Sequence, residues 1–321
     1  MHRHRGRRST PPGGHRPVLL DEVLAALDPK PGEVVVDCTL GYAGHATELL
    51  RRVGPTGKVI ALDLDAGNLP PAREKLAAIS PNFELHHGNF AGFPAALASA
   101  GLDGCDCLLA DLGMSSMQVD DADRGFAFMR DGPLDMRMDR TRGRTAAELL
   151  NTLPADDIAA ALRELGDEPE ADRIAAAIVH RRATQPIERT RELMDLVMEA
   201  APVRVNPNPL KGEPTVRQQK IRPTARVFQA LRILVNRELA NLQELLRVLP
   251  WCLRPGGRAA VISFHSGEDR LVKAAFKEGQ RTGVYEKVSE EPVRPTFGER
   301  TDNPRARSAK LRWAVRSGGA E

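Results

Sequence analysis

Short apolar runs recur along the chain, and most are followed by a segment with the apolar spacing of a helix. The strand-like runs occupy residues 33–38, 58–63, 83–86, 105–111 and 258–264. Several are apolar almost throughout, which favours strands buried on both faces of a parallel sheet. The alternation therefore predicts an α/β fold with a Rossmann-like sheet.

The segment from Asp120 to Pro214 breaks this alternation, because it contains helical patterns such as AAELLNTL and ADRIAAAIVHRR and no strand pattern. We interpret it as an inserted all-helical domain that follows the fourth strand. A basic segment rich in proline and glycine at the start predicts a disordered tail. The predicted organisation is a tail at 1–14, a sheet domain formed by 15–119 and 215–321, and a helical insert at 120–214.

Local signals predict further elements. Thr190 is a candidate N-cap for the last helix of the insert. A Pro-rich, basic linker at 201–226 leads to a long amphipathic helix whose apolar positions run from Val227 to Leu249, followed by a turn at LRPGG. Two strand-like runs near the end, 284–288 and 311–315, predict an antiparallel hairpin at the edge of the sheet.

Composition narrows the class of protein. With 41% hydrophobic and 28% charged residues and a net charge of +3, the 321-residue chain is typical of a soluble globular protein. The four cysteines fit neither a disulfide framework nor a zinc pattern, and no cluster of metal ligands stands out. Because no apolar run approaches about 18 residues and no apolar signal core is present, we expect a cytoplasmic protein without a membrane partner.

The loop after the first strand has the features of a nucleotide site. Gly41 and Gly44 let the backbone approach a ligand, and the following helix offers free N–H groups. The spacing is not GxGxxG, and the strand ends in an acid, which suits S-adenosylmethionine better than a dinucleotide. Asp63, at the end of the second strand, is a candidate acceptor for ribose hydroxyls, and Phe90 after the third strand could lie against an adenine ring.

The stretch after the fourth strand is the most unusual in the chain. Asp111 closes the strand, where open α/β sheets bind ligands, and a polar, turn-rich segment with two phenylalanines and many charges follows. His265 lies at the same predicted edge, directly after the fifth strand. We expect cofactor and substrate to meet here.

Long motifs give this chain a family resemblance. The runs DLGMSSMQVDDADRGFAFMRDGPLDMRMD, RPTARVFQALRILVN, ISFHSGEDR and NPRARS occur in order between His15 and Arg316. They closely resemble the bacterial 16S rRNA cytosine-N4 methyltransferase family of MraW type. The resemblance implies a class I methyltransferase sheet, S-adenosyl-L-methionine as cofactor, and 16S rRNA of the small ribosomal subunit as substrate, methylated at a cytosine of the decoding region.

The family's cofactor contacts map onto matching positions of this sequence, and the resemblance implies the same role for them. They are Ala43, Gly44, His45, Asp63, Phe90, Asp111 and Gln118, to which the sequence pattern adds Gly41. The chain departs from the family at Ala43, Arg222 and Gly267, where glycine, histidine and leucine are usual. At Ala43 a backbone with φ above zero must be relaxed or tolerated.

Transfer to an exocyclic amine is an in-line displacement that depends mostly on positioning. We expect Asp111 to accept a hydrogen bond from the amine or to anchor the cofactor, with Ser115 and Ser116 as auxiliaries, and a carboxylate near its ordinary pKa would be a weak base. The target base must leave its stack. Candidate substrate contacts are Phe126, Arg137, Arg222, Phe264 and His265.

Three other functions compete with this hypothesis. A Rossmann dehydrogenase would require GxGxxG spacing and a hydride-handling dyad, which the sequence lacks. A non-catalytic RNA-binding ribosome-assembly protein would not need acids at the ends of strands two and four. An amino methyltransferase acting on DNA normally has an aromatic P-P-Y/F/W loop where this chain has DLGMSS. The sequence leaves the oligomeric state open between monomer and homodimer.

Overall fold

The computed structural model describes residues 17–210 and 213–318, apart from the side chains of Ser116 and Met117. The predicted disordered tail at 1–14 lies outside these residues. The strands are β1 Val34–Asp37, β2 Lys58–Asp63, β3 Phe83–His87, β4 Cys105–Asp111, β5 Leu253–Ser263, β6 Tyr285–Val288 and β7 Lys310–Arg316. The helices are α1 Leu20–Leu27, α2 Gly44–Val53, α3 Leu69–Ala77, α4 Phe93–Ser99, α5 Ser116–Asp120, α6 Ala146–Thr152, α7 Ala155–Gly166, α8 Ala171–Arg182, α9 Thr190–Ala200, α10 Val216–Asn236, α11 Glu238–Cys252, α12 Ser266–Arg281 and α13 Phe297–Asp302.

The seven strands form one sheet in the order β3-β2-β1-β4-β5-β7-β6. β1 to β5 are parallel, and β7 pairs antiparallel with both β5 and β6. The expected class I methyltransferase sheet is therefore confirmed, as is the terminal antiparallel pair. Alternate residues of the buried strands contribute to two hydrophobic clusters, one containing Val36 and Leu108 and the other Val35 and Leu109. The sheet is covered on both faces, as its apolar strands predict.

The chain divides into two compact units. The sheet unit comprises the described residues up to Gly113 and from Leu242 onward, and the helical unit comprises Met114–Asn241. The helical unit has its own apolar core, to which Val227 and Leu231 of α10 contribute. The boundaries inferred from sequence, 120 and 214, instead place α10 with the sheet. Because a long basic linker precedes this helix, the sequence did not indicate that its buried face packs on α7 and α9.

Three local predictions were wrong. The predicted turn at LRPGG lies inside β5. Between the pairs Cys105–Leu253 and Cys107–Arg258, β5 advances by five residues and β4 by two. The segment is therefore an irregularity in the pairing of these strands. The single long helix is two, α10 and α11, separated by Arg237 with φ of 53°.

Thr190 is the first residue of α9 and not its N-cap, which is Arg189. The Thr190 hydroxyl instead donates to the Arg130 carbonyl at 2.8 Å and accepts from the Gly132 N–H at 3.1 Å. Among the described residues, no helix combines the length and apolar character needed to span a membrane.

Candidate active site

Acidic side chains end three neighbouring parallel strands of the sheet unit, at its carboxyl edge. Asp37 ends β1 and is 1% exposed. One of its oxygens accepts the Thr39 N–H at 3.1 Å, and the other has no partner within the described chain. Burial raises the pKa of Asp37 to about 6, and the neighbouring carboxylates of Asp111 and Asp63 add to this effect.

Asp63 ends β2 and holds the glycine loop. Its Oδ2 accepts the Gly41 N–H at 2.7 Å and the Asn68 side-chain amide at 3.1 Å, and its Oδ1 accepts the Asp65 N–H at 2.8 Å. Burial raises the pKa of Asp63, against the lowering effect of these donors. Since Oδ2 already accepts two hydrogen bonds, Oδ1 offers the lone pair for a further hydroxyl group.

Asp111 ends β4, with 21% of its side chain exposed. Its N–H donates to the Thr39 hydroxyl at 2.7 Å, which fixes the carboxyl end of β4 against the loop after β1. Burial raises the pKa of Asp111 to about 7; the Gly113 N–H opposes the rise and the Glu268 carboxylate supports it. Asp111 is therefore a stronger base than a carboxylate at its ordinary pKa.

His45 faces Asp111. Its Nε2 lies 3.0 Å from the Val18 carbonyl, so Nε2 carries the proton, and its Nδ1 lies 3.9 Å from Asp111 Oδ2. Burial lowers the pKa of His45, which favours the neutral ring. The Nδ1 lone pair and the Asp111 carboxylate are then two acceptors that face each other. A hydrogen-bond donor on a ligand, or a proton bound to Asp111, would satisfy both acceptors.

The backbone of the glycine loop is tightly shaped. Gly41 and Ala43 both adopt left-handed conformations, with φ of 49° and 55°. Ala43 thus tolerates the conformation for which glycine is usual, directly before α2. A Cβ on Gly44 would lie 2.6 Å from Pro17 Cγ, so that position requires glycine. Since the ring of His45, the second residue of α2, faces Asp111, the start of this helix lies at the edge of the sheet where Asp111 ends β4.

Phe264 and His265 follow β5 at the same edge. Glu268 is 2% exposed and accepts the Phe264 N–H at 2.8 Å, while its other oxygen lies 3.3 Å from His265 Nε2. The Phe264 ring lies so close to Gly113 that a Cβ there would be 2.8 Å from its Cε2. The structure thus brings Phe264 and His265 to the edge where Asp111 ends β4.

Phe90 lies in a short 3-10 turn after β3, partly buried against the apolar cluster that contains Val36. The Asn89 side chain caps this turn by accepting the Ala91 N–H at 2.8 Å. A partly exposed ring at this position remains available to a flat ligand.

The other predicted residues belong to the helical unit. Ser115 and Gln118 cap α5 reciprocally: the Ser115 N–H donates to Gln118 Oε1 at 3.1 Å, and the Gln118 N–H donates to Ser115 Oγ at 3.2 Å. The Ser115 hydroxyl proton is not used in this pair. Ser116 begins α5, and its side chain lies outside the described residues.

Phe126, Arg137 and Arg222 differ in how much surface they offer. Phe126 is 7% exposed in the core of the helical unit, with the Arg124 guanidinium 5.8 Å from its ring centre, so little of the ring is free for stacking. Arg137 makes a two-point ion pair with Asp135, at 2.7 and 3.0 Å. Arg222 lies exposed on α10.

Sequence reasoning missed four residues that shape the site: Asp37 as a site residue, Thr39, Asn68 and Glu268. Glu268 carried a recognisable signal. It follows His265, the N-cap of α12, by three residues, and a glutamate at that position is typical of a capping box. Thr39 and Asn68 carried none, since their partners, the Asp111 N–H and Asp63, are assigned by the fold.

Known proteins are similar to this chain over most of its length. The MraW methylase family matches residues 13–317. A ribosomal RNA small subunit methyltransferase H from Geobacter sp. (strain M21) is 44% identical over 313 residues, covering 93% of this chain and 97% of that protein. A ribosomal RNA small subunit methyltransferase H 1 from Lachnoclostridium phytofermentans is 42% identical over 314 residues, covering 96% and 83%. A solved SAM-dependent O-methyltransferase from Thermotoga maritima aligns with a TM-score of 0.41 at 12% identity, over 94% of this chain and 66% of that one.

Proposed function

The chain belongs to the MraW methylase family, and from that premise we propose that it transfers the methyl group of S-adenosylmethionine to N4 of a cytosine in the decoding region of 16S rRNA. The observation that carries the proposal is the set of three acids at the ends of β1, β2 and β4. Within residues 17–210 and 213–318, Asp37, Asp63 and Asp111 make no ion pair with lysine or arginine.

A cationic ligand fits this donor set. S-adenosylmethionine carries a sulfonium and an ammonium group, and its methyl group is the one transferred. Asp37, with one oxygen lacking a partner, and Asp111, with its raised pKa, both gain from a nearby positive charge. The proposed cofactor contacts are Gly41, Ala43, Gly44, His45, Asp63, Phe90, Asp111 and Gln118.

Asp111 has two roles in the proposed reaction. As an acceptor it holds the cytosine amine and localises the nitrogen lone pair, which is otherwise delocalised into the ring. A positive charge nearby favours its ionised form, so the acceptor is in place when the cofactor is bound. The transfer would form the bond between the methyl carbon and N4 and break the methyl–sulfur bond, with the neutral thioether as leaving group. Asp111 would take the proton that the nitrogen loses, with Ser115 and Ser116 as proposed auxiliaries.

The proposed substrate contacts are Phe126, Arg137, Arg222, Phe264 and His265. Phe264 has the strongest support, because its ring is held beside Gly113, two residues after Asp111. Arg137 and Asp135 form a pair to which Arg140 adds a second cation at 3.6 Å, so the group keeps a net positive charge for phosphate.

The test is to supply methyl-labelled S-adenosylmethionine together with small ribosomal subunits, naked small-subunit rRNA or DNA, and to identify the labelled nucleoside by mass spectrometry. We expect N4-methylcytidine from subunits or rRNA. Asp111→Asn should reduce its formation about 100-fold to 1000-fold. Asp103→Asn, which removes a charge whose side chain is 98% exposed at the opposite edge of the sheet, should not.

Each other outcome identifies a different function. Label on DNA would show that the proposed rRNA substrate is wrong, while the proposed methyl transfer would stand. Cofactor binding without label on any substrate would favour a non-catalytic assembly protein.

A further inference from the structure

The segment between β6 and β7, residues 289–309, forms a surface that none of the assignments above uses. We name it the C-terminal excursion. It leaves and returns at the carboxyl edge of the sheet, because Lys310, the first residue of β7, pairs with Ser263, the last residue of β5. It therefore lies at the edge where β4 ends in Asp111.

The C-terminal excursion is firmly anchored. Val293 forms a β-bridge with Leu311. Glu299 accepts the Leu19 N–H at 2.8 Å, and the neighbouring Val18 carbonyl contacts His45. Ala309 is buried in the sheet unit's core. These contacts fix the excursion next to the residues that hold His45 opposite Asp111.

An exposed aromatic ring stands on this anchored base. Phe297, at the start of α13, is 79% exposed. Three arginines with exposed side chains accompany it: Arg294, Arg300 and Arg307. Arg300 follows Phe297 by one helical turn, so the two share a face of α13, and the Arg307 Nε donates to the Arg300 carbonyl at 3.3 Å.

None of these arginines is held in an ion pair with a carboxylate among residues 17–210 and 213–318. The excursion also carries four acids, Glu290, Glu291, Glu299 and Asp302, of which Glu299 accepts the Leu19 N–H. Lys310, the next cation along the chain, is bound to Asp269 at 2.8 Å. An exposed ring with unpaired arginines beside it is a combination that binds single-stranded nucleic acid, by stacking one base and holding the flanking phosphates.

We propose that the C-terminal excursion is a docking surface for single-stranded RNA next to the target nucleotide, with a base stacked on Phe297 and phosphates on Arg294, Arg300 and Arg307. This inference rests on the proposed function, because it assumes an RNA substrate. A protein face or a second copy of the chain would not require unpaired arginines around the ring, and those occupants are outcomes of the test.

The chain provides a matched control. Trp251 is 78% exposed, as much as Phe297. It lies two residues before Leu253, which pairs with Cys105 at the start of β4. The two rings therefore stand at opposite edges of the same sheet, and only Phe297 is at the edge of the candidate site.

The experiment measures binding of a fluorescent single-stranded RNA of about 16 nucleotides to the full-length protein by anisotropy, over a range of salt concentrations. Phe297→Ala should weaken binding about tenfold, the effect of one lost stacking contact, and Trp251→Ala less than about twofold. Arg300→Gln should reduce the slope of log affinity against log salt by about 0.7, as one lost phosphate contact on a single strand predicts. With rRNA substrate, Phe297→Ala should raise KM and leave kcat within about twofold, because the ring lies off the reacting atoms.

Equal effects of Phe297→Ala and Trp251→Ala, or a wild-type protein that does not bind the RNA, would overturn the inference. A Phe297→Ala defect that is seen with assembled subunits and not with naked RNA would also overturn it, because it would indicate a protein partner. A Phe297→Ala variant with altered sedimentation would do the same, because it would indicate self-association. The proposed function fails by a different result, the absence of N4-methylcytidine with wild-type protein. Unchanged thermal midpoints would show that the variants fold.

Discussion

Buried aspartates occur in both units of this protein, and their surroundings are opposite. In the helical unit, Asp135 is 6% exposed and receives Arg137 at 2.7 Å and Arg140 at 3.6 Å. Burial alone would raise the pKa of Asp135, but the hydrogen bonds and charge of Arg137 lower it. In the sheet unit, Asp37 is buried and Asp111 is partly buried, and neither has such a cation in the described chain. Their pKa values are raised to about 6 and about 7.

We propose that this difference distinguishes acids that stabilise the fold from acids that bind a ligand. A carboxylate whose charge is compensated by its own chain needs nothing further to be stable. A carboxylate that is buried without compensation carries a free-energy cost that a cationic ligand removes. The comparison therefore supports the proposal that Asp37 and Asp111, and not Asp135, lie beside a positively charged cofactor.

The largest expected effect is on catalysis at Asp111. Asp111→Asn keeps the shape of the side chain and removes its charge, so we expect the rate of methyl transfer to fall about 100-fold to 1000-fold, as for loss of one preorganised polar group at a reacting centre. Single-turnover assays with saturating RNA measure this directly. A rate within a few fold of wild type would remove the distinction between the two sets of aspartates.

The next effect is on stability in the helical unit. Asp135→Asn leaves the half-buried Arg137 without its partner, and we expect the free energy of unfolding to fall by about 3 kcal/mol. Urea unfolding would detect it. Asp131→Asn, which breaks an exposed pair with Arg189, should leave the midpoint almost unchanged. If Asp135→Asn were as mild as Asp131→Asn, Asp135 would not be a structural acid.

The pH dependence of stability should have opposite signs in the two units. Asp111 binds its proton more tightly when folded, so its contribution to stability is present below the ordinary pKa of 3.8 and is lost as pH rises to about 7. Asp135 has a lowered pKa, so its contribution is present above 3.8 and is lost as pH falls below it.

Asp111→Asn isolates this contribution. A pKa raised to about 7 corresponds to at most about 4 kcal/mol, and the exposed fifth of the side chain reduces the expected gain to about 2 kcal/mol at pH 8, with no gain near pH 4. Unfolding of the cofactor-free protein at both pH values measures the difference. A gain that is equal at the two pH values would show that ionisation is not its cause.

Most of the fold, including the ends of the strands, could be predicted from the sequence. Short apolar runs such as 105–111 are typical of strands buried in a sheet, and Asp63 and Asp111 could be placed at the sheet edge for that reason. The sequence could not show that the arginine nearest Asp135 compensates it while Asp111 has none. Compensation depends on distances between groups, and Asp111 is arranged with Thr39, 72 positions earlier in the chain.

Other features were hidden because tertiary packing overrode local signals. Pro223 lies inside α10 although proline usually ends a helix, and the helix persists because its neighbours pack into the core of the helical unit. The position of Glu268 in α12 indicates a cap, but it does not indicate that this side chain is among the most buried acids of the sheet unit.

The smallest expected effect concerns the backbone of the glycine loop. Its left-handed conformation adds a free-energy cost to the sheet unit's site, besides the cost of the acids that have no cation beside them. Ala43 holds φ of 55°, a conformation that costs a residue with a Cβ about 1–2 kcal/mol. Ala43→Gly relieves that cost but loses one buried methyl group, worth about 0.8 kcal/mol, and adds entropy to the unfolded chain. These terms nearly cancel, so we expect the free energy of unfolding to change by less than about 1 kcal/mol, with cofactor affinity within about threefold of wild type. Gly41→Ala, at φ of 49° with its nearest outside atom 4.0 Å away, introduces the same strain. The lower entropy of the unfolded chain offsets only part of it, so this variant should destabilise by about 1 kcal/mol. Thermal unfolding and cofactor titration of both variants measure this pair. If Ala43→Gly stabilised the protein by more than about 2 kcal/mol, the loop would store more strain than its geometry implies, and the energetic cost of this site would lie in its backbone as much as in its acids.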